Sequence, residues 1–90
     1  MKVVATPRFI RAIKKIQSSE KKSLDEAVKR LLANPLLGEM KKGDLAGIQV
    51  YKFRYLRQQM LLAYSVSLDK TQLALIAYGV HENFYRDLKR

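Results

Sequence analysis

The spacing of apolar positions along this chain passes from a short β-branched run to a helical period and then to alternation. Val3-Val4 predicts a short strand over Met1 to Thr6, closed by Pro7. Pro7 suits the first turn of a helix, where its missing N–H costs nothing. Phe9, Ile13 and Ile16 then recur at helical spacing with Ala12 beside them, which predicts an amphipathic helix ending near Ser18. Ser23-Leu24-Asp25-Glu26 reads as a capping box, with Ser23 as cap and Glu26 reaching back. The second helix it opens carries an apolar stripe of Leu24, Ala27, Val28, Leu31 and Leu32 and stops at Asn34-Pro35.

Leu36 to Gly47 reads as a loop punctuated by Gly38, Gly43 and Gly47. The period then falls to two. Gln49, Tyr51, Phe53 and Tyr55 face one way, and Ile48, Val50, Lys52 and Arg54 the other. Met60 to Val66 is apolar almost throughout, as a central strand would be. Ser67 to Thr71 predicts a turn, Leu73 to Val80 a third strand of this group, and Glu82 to Arg90 a short terminal helix. These elements define an α+β fold. A helical hairpin packs on one face of a mostly antiparallel sheet and leaves the other face open.

Length and charge narrow the function. Ninety residues allow one domain, 1–90, whose core is small. Work on a surface or shallow groove is therefore favoured over a deep ligand pocket. Eighteen Lys and Arg against eight Asp and Glu give a formal net charge of +10, more than solubility requires. The expected partner is polyanionic. The absence of cysteine excludes disulfides and thiolate metal sites. Arg8 and Arg11 interrupt any signal-peptide core. No apolar run approaches the roughly 20 residues of a membrane span. A cytoplasmic location and no membrane partner are expected.

Two places carry candidate chemistry. Lys52 and Arg54 share one side of their strand and Arg57 follows in the turn, while no Asp or Glu occurs from Leu45 to Leu68. Such cations bind phosphate; equally, they guard a solvated strand end. His81 is the only histidine and stands where the last strand meets the tail, with Tyr85 one helical turn on. It suits proton transfer near neutral pH, or it is merely structural. Cleaving RNA needs a group to take the 2′-hydroxyl proton, cations for the charge on the phosphate, and a proton for the departing 5′-oxygen. His81, Lys52, Arg54 and Tyr85 can supply these without a cofactor. No cluster of His, Cys and carboxylates suggests a metal.

Lys42-Gly43-Asp44-Leu45-Ala46-Gly47, then Val50-Tyr51-Lys52-Phe53-Arg54 and Leu61-Leu62-Ala63-Tyr64, resemble the central strands of RelE/ParE superfamily toxins. The ending Gly79-Val80-His81-Glu82-Asn83-Phe84-Tyr85-Arg86-Asp87-Leu88-Lys89-Arg90 is similar to that group as well. The resemblance implies the toxin of a type II toxin–antitoxin system, neutralised by a cognate antitoxin. RNA-cleaving members mostly cut mRNA on the ribosome without a metal. By position, Lys52 and Arg54 match the strand cations that bind and activate the phosphate. His81 matches the catalytic histidine of YafQ-like toxins, and Tyr85 the aromatic position after it. Arg57, Lys41, Lys42 and Arg86 are expected to contact nucleic acid. Three departures stand out: Leu61 lies where RelE-like toxins commonly carry an arginine, the turn is Leu56-Arg57-Gln58-Gln59, and His81 is alone. The same fold hosts toxins that poison DNA gyrase and relatives linked to DNA nicking, so a DNA-directed toxin is the alternative. Under either reading the antitoxin should carry a carboxylate-rich segment complementary to the cations.

Overall fold

The computed structural model describes residues 1–80 together with Phe84 and Leu88. The chain runs through β1 (Lys2–Ala5), α1 (Pro7–Ile13), α2 (Ser18–Ala33), β2 (Glu39–Met40), a 3-10 turn (Gly43–Leu45), β3 (Gln49–Tyr55), β4 (Gln58–Val66) and β5 (Gln72–Val80). One sheet holds the five strands in the order β1-β5-β4-β3-β2. Only β1 against β5 is parallel; the other neighbours are antiparallel. The expected α+β architecture is present, with both helices on one side of a mostly antiparallel sheet.

The helix-covered side holds the larger core. Phe9 of α1 and Leu24, Ala27 and Leu31 of α2 meet Leu62 and Tyr64 of β4 and Leu73, Leu75 and Tyr78 of β5. Tyr51, Phe53 and Tyr55 of β3 pack at its margin, as the alternation predicts, and Phe53 lies stacked between Tyr51 and Tyr78 at centroid distances of 6.1 and 6.2 Å.

A bulge makes β5 serve this core along its whole length. Ala63 pairs with Ala77 but Tyr64 pairs with Leu75, so Ile76 is an extra residue. Without that insertion Tyr78 would face away from Leu73 and Leu75. Thr6 secures the bulge: its hydroxyl donates to the Ile76 carbonyl at 2.6 Å and accepts from the Phe9 N–H at 3.1 Å. One side chain thus ends β1, caps α1 and satisfies the bulge.

Four expectations need correction. The helical hairpin breaks earlier than the capping box implies: α1 stops at Ile13, α2 starts at Ser18, and Ser23 lies inside α2. The cause is tertiary. Ser19 and Glu20 are drawn into the first turn, where the Ser19 hydroxyl meets the Tyr55 hydroxyl at 2.5 Å and Glu20 accepts from Tyr78 at 2.6 Å. On the apolar stripe, Leu24, Ala27 and Leu31 are buried but Leu32 is exposed. The loop from Leu36 to Gly47 contains β2, which pairs with the start of β3. Gly43 and Gly47 do turn the chain there, at φ of +65° and +88°.

The fourth correction concerns the second face, which is only partly open. Phe84 and Leu88, both helical, pack there on Val50, Leu61, Ala63 and Ala77. Leu61 is fully buried by this cover.

The loop after α2 is held by a buried polar cluster. The Tyr64 hydroxyl donates to the Pro35 carbonyl at 2.6 Å and accepts from the Gly38 N–H at 2.8 Å. The Gln49 amide donates to the same Pro35 carbonyl at 3.0 Å. A Cβ on Gly38 would lie 2.6 Å from the Tyr64 ring, so only glycine allows this approach.

Candidate nucleic-acid interface

The register of the sheet orders the second face into rows. Glu39, Val50, Ala63 and Ala77 lie side by side across four strands. Lys52, Leu61 and Gly79 form the next row, and Arg54 and Gln59 the one beyond. Phe84 sits above the β4 and β5 end of these rows, with its ring 3.6 Å from where a Gly79 Cβ would be. The β3 end stays in water, where Lys52 and Arg54 are both exposed. Two residues of strand separate their backbones by about 7 Å. The cations therefore border an apolar patch capped by an aromatic ring. That combination suits a polyanion with stacking bases.

The tight turn between β3 and β4 has two central residues, Leu56 and Arg57, with Tyr55 paired to Gln58. Leu56 takes φ +57°, a left-handed conformation that lets the hairpin close without glycine. Arg57 is exposed at this tip. Lys42 is exposed too, immediately before the 3-10 turn. Among the described residues no hydrogen bond or ion pair ties Arg57 or Lys42 to the Lys52 and Arg54 pair. Lys41 does reach this face, through a 2.8 Å ion pair with Glu39. His81, Tyr85 and Arg86 lie outside the described residues.

Glu39 is the residue that reading along the chain missed. It is distant in sequence from Lys52, and the carboxylate-free run from Leu45 to Leu68 suggested cations without a partner. Pairing of β2 with β3 brings Glu39 onto their face. Its carboxyl is held below the usual carboxylate range, first by the hydrogen bond from Lys41, then by the Lys41 charge, with a smaller pull from Lys52. It therefore stays ionised throughout the neutral range. Recognising β2 as a strand was the only sequence signal that would have placed it, and two residues are too few to show a period.

No group of three or more His, Cys, Asp or Glu that could hold a metal exists among the described residues. No helix of the described chain is long and apolar enough to cross a membrane.

Two helices on one face of this mixed sheet, with a basic strand on the other, define the RelE-like toxin fold. A family model described as ParE-like toxin of type II bacterial toxin–antitoxin systems matches residues 3–89, so the chain belongs to that family and is a type II toxin. The E. coli RelBE toxin–antitoxin complex contains a similar chain, with TM-score 0.72 and 20% identity over 90% of this chain and 96% of that one. The YoeB/ParE toxin of Agrobacterium tumefaciens matches with TM-score 0.73 and 22% identity over 90% and 99%. The RelBE2 toxin–antitoxin complex of Mycobacterium tuberculosis matches with TM-score 0.70 and 21% identity over 89% and 96%. These likenesses establish the shared fold. No curated protein matches the chain at a significant level.

Proposed function

We propose that this toxin is a metal-independent endoribonuclease that cuts mRNA on the ribosome and is neutralised by a cognate antitoxin. The observation that carries this reading is the exposed pair Lys52 and Arg54 on the face opposite the helices, with an ionised Glu39 in the row next to Lys52. Glu39 accepts the proton of the 2′-hydroxyl. The freed oxygen attacks the adjacent phosphorus, and Lys52 and Arg54 stabilise the negative charge that builds on the phosphoryl oxygens. The bond to the 5′-oxygen breaks, leaving a 2′,3′-cyclic phosphate and a 5′-hydroxyl. His81 follows Val80 at the end of β5 and is assigned to protonate that departing oxygen. Tyr85 is assigned to orient the base. Arg57, Lys41, Lys42 and Arg86 extend the phosphate-binding surface.

Primer extension on a reporter mRNA, after brief induction of each variant, tests this. Discrete cuts by the wild type should fall about 10²–10³-fold with Lys52→Ala, as when one charge-stabilising group is removed. They should also vanish with Glu39→Gln and with His81→Ala. Full cutting by both of these last variants would remove the proposed base and acid.

One observation favours a second reading, a DNA-directed toxin that inhibits gyrase or nicks DNA. Leu61 is buried under Phe84 where RelE-like toxins commonly carry an arginine, so this face offers one phosphate contact fewer. Plasmid topology read from the same cells separates the two: intact mRNA with altered topology selects the DNA-directed toxin.

A further inference from the structure

Few backbone contacts place Glu39. β2 has two residues, Glu39 and Met40, paired with Val50 and Gln49. So short a ladder specifies register weakly, and a slip of one residue would turn Glu39 to the helix-covered face. Burial does little to hold this stretch, since Leu36, Leu37 and Met40 are 80, 45 and 55% exposed. The ion pair to Lys41 lies within the stretch itself. Downstream, the Lys41 N–H meets the Ile48 carbonyl at 2.9 Å. Upstream, the hold comes from the other face of the sheet. Gln49 and Tyr64 are register partners on β3 and β4, one residue along from the Val50 and Ala63 row that Glu39 joins. Both side chains lie on the helix-covered side, with the Gln49 amide 3.2 Å from the Tyr64 hydroxyl. The Gly38 N–H donates to Tyr64 at 2.8 Å, and the Gly38 carbonyl accepts from Gln49 at 3.3 Å. Both backbone groups of the residue before Glu39 therefore end on these two side chains. Tyr64 is fully buried and Gln49 nearly so, which keeps water from competing. Burial also raises the Tyr64 phenol above its ordinary range, so the hydroxyl keeps the proton it donates to Pro35.

We propose that Tyr64 and Gln49 are positioning residues: from the helix-covered face they clamp Gly38, and so fix Glu39 on the opposite face in the row next to Lys52. The inference rests on the ribonuclease reading with Glu39 as base, and names what aims that base. Lys52 and Arg54 belong to β3, whose seven-residue ladder with β4 does not depend on the clamp. Loosening the clamp should therefore slow proton removal and leave the hold on phosphate intact.

Single-turnover cutting of mRNA on programmed ribosomes, with the full chain, separates these two effects. Tyr64→Phe should lower the rate at saturating toxin about 10–100-fold, as a displaced catalytic group does. The half-saturating toxin concentration should stay within about twofold. Gln49→Met should act in the same direction but less, because Pro35 keeps the Tyr64 hydroxyl, and it carries the test if Tyr64→Phe does not fold. In amide NMR of either variant, Gly38 and Glu39 should shift and exchange faster, while Lys52 and Arg54 keep their wild-type shifts. Val28→Ala trims the margin of the same core away from the clamp and controls for lost stability; it should cut at the wild-type rate. Three outcomes overturn the proposal: full-rate cutting by both clamp variants, an equal loss in Val28→Ala, or a loss confined to the half-saturating concentration. Glu39→Gln in the same assay keeps the readings apart. If the wild type does not cut, or Glu39→Gln cuts at full rate, the reading of Glu39 as base falls and takes the inference with it. If Glu39→Gln is inactive while the clamp variants cut fully, the inference alone falls.

Discussion

Leu61 and Leu62 are neighbours on β4, both fully buried, and they belong to different structures. Leu62 lies under two helices in a core that reaches from Phe9 to Tyr78. Leu61 lies in a small cluster closed by Phe84, with the charged end of β3 beside it. One face of the sheet holds the larger core; the other carries a smaller apolar cluster closed by Phe84 and Leu88. The difference shows how a 90-residue chain keeps a charged surface. It concentrates its packing on one side, so the opposite side can hold exposed cations at little cost in stability.

The largest expected effect tests that division directly. Leu62→Ala should cost about 2–5 kcal/mol in urea melts, as large-to-small changes in cores do. Leu61→Ala should fall at or below the lower end of that range, because fewer elements close around it. Equal losses would mean that both faces hold the fold equally. Next, Tyr64→Phe strips the hydroxyl that ties Pro35 and Gly38 to the sheet, and should cost about 1–3 kcal/mol by leaving the Gly38 N–H without its partner, while the Pro35 carbonyl keeps the Gln49 amide.

Tyr78→Phe sharpens the comparison through pH. Burial first, then the hydrogen bond to Glu20 and the Glu20 charge, raise the Tyr78 phenol above its ordinary 10.0. A raised pKa means the native state holds this proton more tightly than the unfolded chain does. Its contribution is therefore complete below pH 10.0 and lost as the pH climbs above that value. Tyr78→Phe should lose about 1 kcal/mol at neutral pH and show a shallower decline in alkali, measured by thermal melts. An unchanged alkaline slope would show that Tyr78 does not govern it. The smallest effect belongs to the other face. Leu56 is exposed at φ +57°, so Leu56→Gly should relieve backbone strain and gain about 0.5 kcal/mol after the entropy of the unfolded chain is counted. Cutting should be unaffected by it, and a lost activity would place the hairpin tip in the site.

Much of the fold was legible because its signals are local. Pro7, Asn34-Pro35 and the alternation from Gln49 to Tyr55 each act within a few residues, and the elements they predict are present. The start of α2 was not legible, since hydrogen bonds to Tyr55 and Tyr78 on distant strands outcompete the capping pattern at Ser23. The bulge at Ile76 left no mark in a segment as uniformly apolar as Leu73 to Val80. Of the candidate site, Lys52 and Arg54 could be placed on one side from spacing alone. Glu39 could not, because its partner strand has two residues and no period.

The sequence by itself determined the class of elements, the side of β3 that carries cations, and the strongly basic balance that calls for a polyanion. Those properties depend on side chains within one turn or one strand of each other. Only the tertiary structure decided that Glu39 faces the cations, that Phe84 covers Leu61, and that β1 leaves the end of β5 without a strand. Each of these depends on register between segments far apart in the chain, and register is set by which whole face can be buried.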